Sequence, residues 1–251
     1  MNDPVSQKSG VSIVLVETQS PGNIGMVCRA MMNMGLSDLR LVNPCRVDHP
    51  EALKFAVSAR ELLFKARIFP TLAEALADAP LSVATTRRHG KYRQEIMTPD
   101  EVVRAAAEHL PANRCAFVFG REDSGLTTDE VALCRWQATI PTGSDYGSLN
   151  LAQAVLLFCY EIHRGLASGS NAAGPERVLA DAALTETMFG QMEETLLRIG
   201  FLNPENPAHL MRTFRRIFAR AMLDEREVSV VRGMLSQIDW AADNYQGRKG
   251  G

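Results

Sequence analysis

The chain has no apolar run long enough to cross a bilayer; the first, Val11–Val16, spans six residues. Asp3 precedes Lys8 at the N-terminus, so neither a signal peptide nor a membrane span is expected. Its five cysteines, Cys28, Cys45, Cys115, Cys134 and Cys159, form no C-x-x-C pair and have no histidine at metal-ligand spacing. A disulfide framework and a zinc site are thereby disfavoured, and reduced thiols in a cytoplasmic protein are the expectation. A formal charge of −2 excludes a uniformly basic nucleic-acid binder, so local clusters have to carry any such role. No G-x-G-x-x-G follows the first strand, which weakens a dinucleotide-fold reading.

What is present is a soluble globular composition, 46% hydrophobic and 22% charged, over 251 residues. Short β-branched or apolar runs at Val11–Val16, Leu39–Val42, Ala66–Phe69, Leu81–Ala84, Cys115–Phe119 and Gln137–Ile140 alternate with helix-period segments. The helical segments are 24–34, 52–64, 72–77, 101–110, 129–134 and 149–164. This alternation predicts an α/β fold, a parallel sheet covered by helices, over residues 1–165. Residues 166–180 are rich in Ala, Ser, Gly and Asn and read as a linker. Beyond it only helical periodicity returns, so 181–251 is expected to be a small all-helical module. Gly200 is the expected C-cap of its first helix, and Asn206-Pro207 the start of its second. Leu210, Phe214, Ile217, Phe218 and Ala221 would form the apolar stripe of that second helix.

Three strand endings carry the polar residues a ligand site needs: Ala84-Thr85-Thr86-Arg87, Phe119-Gly120-Arg121-Glu122, and Ile140-Pro141 leading to Ser148-Leu149-Asn150. In open α/β sheets ligands collect at the carboxyl ends of strands, beside helix N-termini. Each segment also has a plainer reading. Ser148 and Asn150 could cap the helix that follows. Glu122 could be a loop carboxylate or a helix-cap partner. Asn23 reads as the N-cap of a helix whose core stripe is Ile24, Val27, Met31 and Met34, leaving Arg29 to face water, a ligand or another subunit. The run Arg87-Arg88-His89-Gly90-Lys91-Tyr92-Arg93 could bind phosphates and stack a base, or be an ordinary loop. Arg212, Arg215, Arg216 and Arg220 form a cationic strip with no acidic residue among them in sequence, a solvated face or a polyanion site.

Taken in order, Asn23-Ile24-Gly25 with Arg29-Ala30 and Gly35, Phe119-Gly120-Arg121-Glu122 with Gly125-Leu126, and Ile140-Pro141 with Ser148-Leu149-Asn150-Leu151-Ala152 resemble the three motifs of the SPOUT superfamily of RNA methyltransferases. Within it the chain looks like the ribose 2′-O-methylating branch. The tail, with Gly200-Phe201-Leu202, Asn206-Pro207 and Leu210 through Ala221, is similar to the subgroup that modifies nucleotide 32 of tRNA anticodon loops. The resemblance implies a C-terminal trefoil knot, S-adenosylmethionine as methyl donor, no metal, and a homodimer acting on tRNA rather than DNA. Thr85, Thr86, Arg87, Gly120, Ile140, Gly147, Ser148 and Leu149 would line the cofactor pocket. Arg29 would be catalytic, reaching the partner's site, with Asn23, Glu122, Ser148 and Asn150 shaping it. Arg88, Lys91 and Arg93, together with Arg212, Arg215, Arg216 and Arg220, would hold RNA.

Overall fold

The structure, a computed structural model, describes residues 10–87, 96–110, 112–143, 147–167 and 177–244. Contacts divide the chain into two units, Met1–Val178 and Leu179–Gly251.

The first unit is a seven-stranded sheet in the order β3-β2-β1-β6-β4-β7-β5, every pairing parallel. Its strands are β1 (Val11–Val16), β2 (Asp38–Val42), β3 (Arg67–Phe69), β4 (Leu81–Thr85), β5 (Ile96–Met97), β6 (Cys115–Phe119) and β7 (Trp136–Ala138). All of β1 and β6 is buried, as a sheet covered on both faces requires. The alternation of a strand sends Val14, Val16, Ala116 and Val118 to one face, where α4 (Leu72–Leu76) and Val131 and Leu133 of α6 (Thr128–Leu133) cover them. The other face receives Phe117 and Phe119, whose rings lie 5.9 and 5.4 Å from that of Phe158 on α7 (Leu151–Ala167). Helix α1 (Pro21–Asn33) packs beside α7, and α5 (Pro99–Ala107) packs on α7 as well.

Several boundaries differ from the sequence reading for physical reasons. Helix α1 starts two residues earlier than Asn23: Ser20 is the N-cap, its Oγ accepting from the Asn23 N–H, and Pro21 occupies the first turn, where a missing N–H costs nothing. Asn23 is freed for other contacts. The segment 52–64 is not one helix. It breaks between α2 (Pro50–Ala56) and α3 (Arg60–Lys65) at Val57, whose φ of 49° is a conformation β-branched residues avoid. Neither glycine nor proline marks that break. Strand β5, two residues long, carries too little pattern to be seen in sequence. The expected C-terminal trefoil knot falls in a stretch in which residues 144–146 lie outside the described residues, as do 88–95.

The second unit contains α8 (Ala182–Arg198), α9 (Ala208–Ala221) and α10 (Glu225–Asn244) around Met188, Phe189, Met192, Met211, Val228 and Leu235. Gly200 closes α8, its N–H bonded to Leu197 O, followed by Phe201 N–H on Leu196 O. The segment between the units is shorter than 166–180, because Leu166 is buried in α7 while Leu179 and Ala180 belong to the second unit. The apolar stripe of α9 is rotated from the expected one. Met211, Phe214 and Phe218 face the core, whereas Leu210 and Ile217 are 37% and 46% exposed.

Candidate active site

The three polar strand endings meet. Residues after β4 (Thr85, Thr86, Arg87), after β6 (Gly120 to Leu126) and after β7 (Thr139, Ile140, Thr142), with Gly147, Ser148 and Leu149 before α7, line an open cavity of about 180 Å³. All eight residues expected at the cofactor pocket are in this lining. Phe119, Leu126, Leu151 and Phe158 form its apolar floor, and Arg87, Glu122 and Asp123 bring charge to it. One backbone and one side-chain bond tie the end of β4 to its neighbours: Thr86 N–H donates to Ala138 O at 2.9 Å, and Thr85 Oγ donates to Val118 O at 2.8 Å. Both consume the polar atoms of strand ends, so the lining is not left to loops alone.

Glycine is required at Gly120 and fits tightly at Gly147. A Cβ at Gly120 would lie 2.2 Å from Gly125 C and 2.4 Å from Leu126 N, because the loop folds directly back over the end of β6. The close approach at Gly120 is therefore to its own chain. At Gly147 a Cβ would come within 3.1 Å of Thr142 Oγ and 3.6 Å of the Arg87 side chain, inside the cradle between them.

Asn23, Glu122 and Asn150, far apart in sequence, form a single hydrogen-bonded chain. Asn150 Nδ2 donates to Asn23 Oδ1 at 3.0 Å, and Asn23 Nδ2 donates to Glu122 Oε1 at 2.9 Å. Glu122 also accepts from the backbone N–H groups of Gln19 (2.9 Å) and Ser20 (3.2 Å), a carboxylate at the positive end of α1. Asn150 Oδ1 accepts from Ala152 N–H at 2.9 Å, so it caps α7 and reaches Asn23 at once. The capping reading of Asn150 holds, and the bond to Asn23 is additional to it. Ser148 is exposed at the cavity wall.

Arg29 stands apart. It is exposed on α1, is not in the cavity lining, and has no hydrogen bond or ion pair among the described residues. Met32, one turn on, is also exposed, as are Leu156, Leu157 and Tyr160 on the neighbouring α7. Arg88, Lys91 and Arg93 lie outside the described residues. On α9 the arginine strip is not uniform. Arg215 is paired bidentately with Glu186 of α8, and its guanidinium lies 4.5 Å from the Phe189 ring centroid. Arg216 donates to Thr213 Oγ at 3.0 Å, and Arg220 is exposed. The acid that neutralises Arg215 comes from another helix, which is why the local sequence showed none.

Among the described residues no group of three His, Cys, Asp or Glu side chains is arranged to hold a metal ion. All five cysteines are free; burial raises the thiols of Cys28, Cys134 and Cys159 to about 12 and that of Cys115 higher still. The four buried ones are packing residues at neutral pH. Sequence reasoning named Arg121 in the polar ending of β6 but gave it no role; it sits at the cavity wall between two acids, Glu17 and Glu130. Its partners are too distant in sequence for a local pattern to link them.

Residues 10–160 match the SpoU rRNA Methylase family over the whole sheet and its site. The chain belongs to that family. Residues 183–247, the helical unit, match the C-terminal domain of the tRNA methyltransferase TrmJ. The SpoU methylase relatives include the tRNA (cytidine/uridine/adenosine-2′-O-)-methyltransferase TrmJ of Pseudomonas aeruginosa, 38% identical over 92% of this chain and 95% of its own length. The tRNA (cytidine/uridine-2′-O-)-methyltransferase TrmJ of Klebsiella pneumoniae is also 38% identical, over 91% of this chain and 96% of its own. Among solved structures, TrmJ from Z. mobilis superposes with a TM-score of 0.80 at 36% identity, covering 91% of this chain and 98% of that one. The parallel sheet and helical tail are thus the architecture of a methyltransferase of this family.

Proposed function

We propose that the protein methylates a ribose 2′-hydroxyl of tRNA, at nucleotide 32 of the anticodon loop, using S-adenosylmethionine in the cytoplasm. The observation that carries this reading is the cavity at the ends of β4, β6 and β7, in a chain whose helical unit matches a tRNA methyltransferase domain. The cavity fits the methyl donor in kind. It offers an apolar floor, the glycine-lined cradle at Gly147, and polar groups from Thr85, Thr86, Arg87 and Ser148 around the rim. When bound, S-adenosylmethionine would supply an electrophilic sulfonium methyl.

The chain's own residues would do the rest by positioning. Ordered reactants can account for ~7–11 kcal/mol of a barrier in favourable cases. The Asn150–Asn23–Glu122 chain joins the starts of α7 and α1 to the β6 loop, and so holds the site's three parts in register. Arginine is protonated at all working pH values and cannot act as a base. The role assigned to Arg29 is to position the 2′-oxygen or the adjacent phosphate and to stabilise developing alkoxide charge. A homodimer gives Arg29 a target. The exposed Met32, Leu156, Leu157 and Tyr160 on α1 and α7 supply an apolar face beside it, and a second copy covering that face would bring Arg29 to the partner's cavity. Residues 181–251 are proposed as the tRNA-binding extension, with Arg212, Arg216 and Arg220 contacting phosphate.

The test is incubation with labelled S-adenosylmethionine and unmodified tRNA transcripts, followed by mapping of ribose methylation by mass spectrometry. Label at nucleotide 32 supports the full reading, on cytidine, uridine or both. Label elsewhere in tRNA or in ribosomal RNA rejects the position alone, and no label in any RNA rejects the activity. Removing the helical unit should leave S-adenosylhomocysteine binding intact and weaken tRNA binding, with the deficit narrowing as salt rises.

A further inference from the structure

We propose that Arg121 is a positioning residue for the methyl-donor pocket: clamped between Glu17 and Glu130, it sets the Arg121–Leu126 loop and through it the Glu122 contacts that fix the cavity's β6 wall. This rests on the methyltransferase reading and deepens it.

The geometry is specific. Arg121 Nε donates to Glu17 Oε2 at 2.8 Å; its Nη1 and Nη2 donate to Glu130 Oε2 and Oε1 at 3.0 and 2.9 Å; and Nη1 also reaches Gly125 O at 3.2 Å. Hydrogen bonds from the guanidinium to Glu130, then to Glu17, raise the Arg121 pKa further, so the clamp stays charged throughout the working range. Glu130 is doubly committed, its Oε2 also accepting from Thr127 N–H in the capping box of α6. Glu17 stands at the end of β1 with φ 47°. One planar group therefore joins the ends of β1 and β6 to the start of α6. A lysine ammonium, a point charge without the fork, cannot reproduce these bonds together.

Beyond the clamp the loop is held by its own backbone and by contacts from Glu122 and Asp123 to residues 19–23. Backbone bonds between Arg121 and Gly125 (2.9 and 3.3 Å) close it, while Asp123 and Ser124 at its tip are exposed and bond to each other. Glu122 is the residue next to the clamp, and its carboxylate holds Gln19 N–H, Ser20 N–H and Asn23. Four consecutive loop residues, Glu122 to Gly125, line the cavity. A loose clamp would shift this whole wall, of which Arg121 is itself a member.

The experiment titrates S-adenosylhomocysteine by calorimetry into wild type, Arg121→Lys, Arg121→Gln and Glu17→Gln, with steady-state kinetics and amide exchange alongside. Arg121→Gln should weaken S-adenosylhomocysteine binding and raise KM for S-adenosylmethionine by about 10-fold, with kcat at saturation within about twofold. Arg121→Lys should recover only part of the loss. Glu17→Gln should lie between, and exchange at Gln19 and Ser20 should accelerate in each variant. A uniformly destabilised protein would not show this split between KM and kcat. Affinity and KM unchanged in Arg121→Gln overturn the proposal, as does a fall in kcat with KM unchanged. If Arg121→Gln fails to fold, Glu17→Gln, at the half-exposed end of the clamp, decides by the same criteria. Wild type that binds no S-adenosylhomocysteine overturns the methyltransferase reading and the clamp's ligand role with it; equal binding by wild type and variants overturns the clamp alone.

Discussion

The two ends of the sheet use charge in opposite ways. At the amino ends of the strands Asp38 accepts from Ser12 Oγ (2.6 Å), Arg40 (3.0 Å), Arg67 (2.8 Å) and Arg114 (2.8 Å), and Arg40 also bonds Asp78 and Ala75 O. Arg40 is 1% exposed, so its charge is compensated wholly by protein. At the carboxyl ends the polar groups surround a cavity and Ser148 is exposed there, beside the paired cluster of Arg121 with Glu17 and Glu130; Arg29 of α1, outside the lining, lacks a partner among the described residues. A closed network holds the fold; an open one is available to a ligand. Burial alone would raise the Asp38 pKa, but the hydrogen bonds from Arg40, Ser12 and Arg67 outweigh it and hold that carboxyl at about 2.

Breaking the closed end should have the larger energetic effect. Asp38→Asn leaves the Arg40 charge partly uncompensated in the interior, and urea unfolding should show a loss of about 3–5 kcal/mol while S-adenosylhomocysteine affinity is kept. A comparable loss of affinity would mean that the two ends are coupled. Next, Arg29→Ala should lower kcat roughly 10²–10³-fold, about 2.7–4 kcal/mol, with the melting temperature and S-adenosylhomocysteine affinity unchanged. Near-normal turnover would remove Arg29 from the mechanism.

Acid sharpens the contrast further. The folded-state pKa of Asp38 is depressed, so its contribution is complete above the unfolded value and is lost as pH falls from about 4 toward 2. Roughly 2 kcal/mol should disappear over that window in wild type. Asp38→Asn should lack this component, and an identical acid profile in both proteins would refute the assignment. The smallest effect belongs to Asn150→Ala, which removes the α7 cap for about 1 kcal/mol and should add a loss of turnover through Asn23. A stability change without a kinetic one would leave Asn150 a cap and nothing more.

Most of the sheet was legible because buried parallel strands are written as continuous apolar runs. Val11–Val16 and Cys115–Phe119 were located to the residue. Ile96–Met97 was not, being too short to carry a period, and the kink at Val57 has no local marker. The site divided in the same way. Strand-end residues from Thr85 to Leu149 could be named because each follows an apolar run or opens a helix. Who bonds whom could not, since Asn150 and Asn23 are 127 positions apart and Arg121 and Glu17 are 104.

By itself, then, the sequence determined the alternation of strand and helix, the helical tail and the types of residue at each strand end, all of which depend on periods of two and 3.6 and on local caps. Only the tertiary structure decided that Ser20 rather than Asn23 caps α1, that Arg215 is neutralised by Glu186, and that Glu122 bonds Gln19 N–H while Arg121 bonds Glu130. Those choices are made by partners that chain folding brings together, and a side chain's charge says nothing of its partner until the distance between them is set.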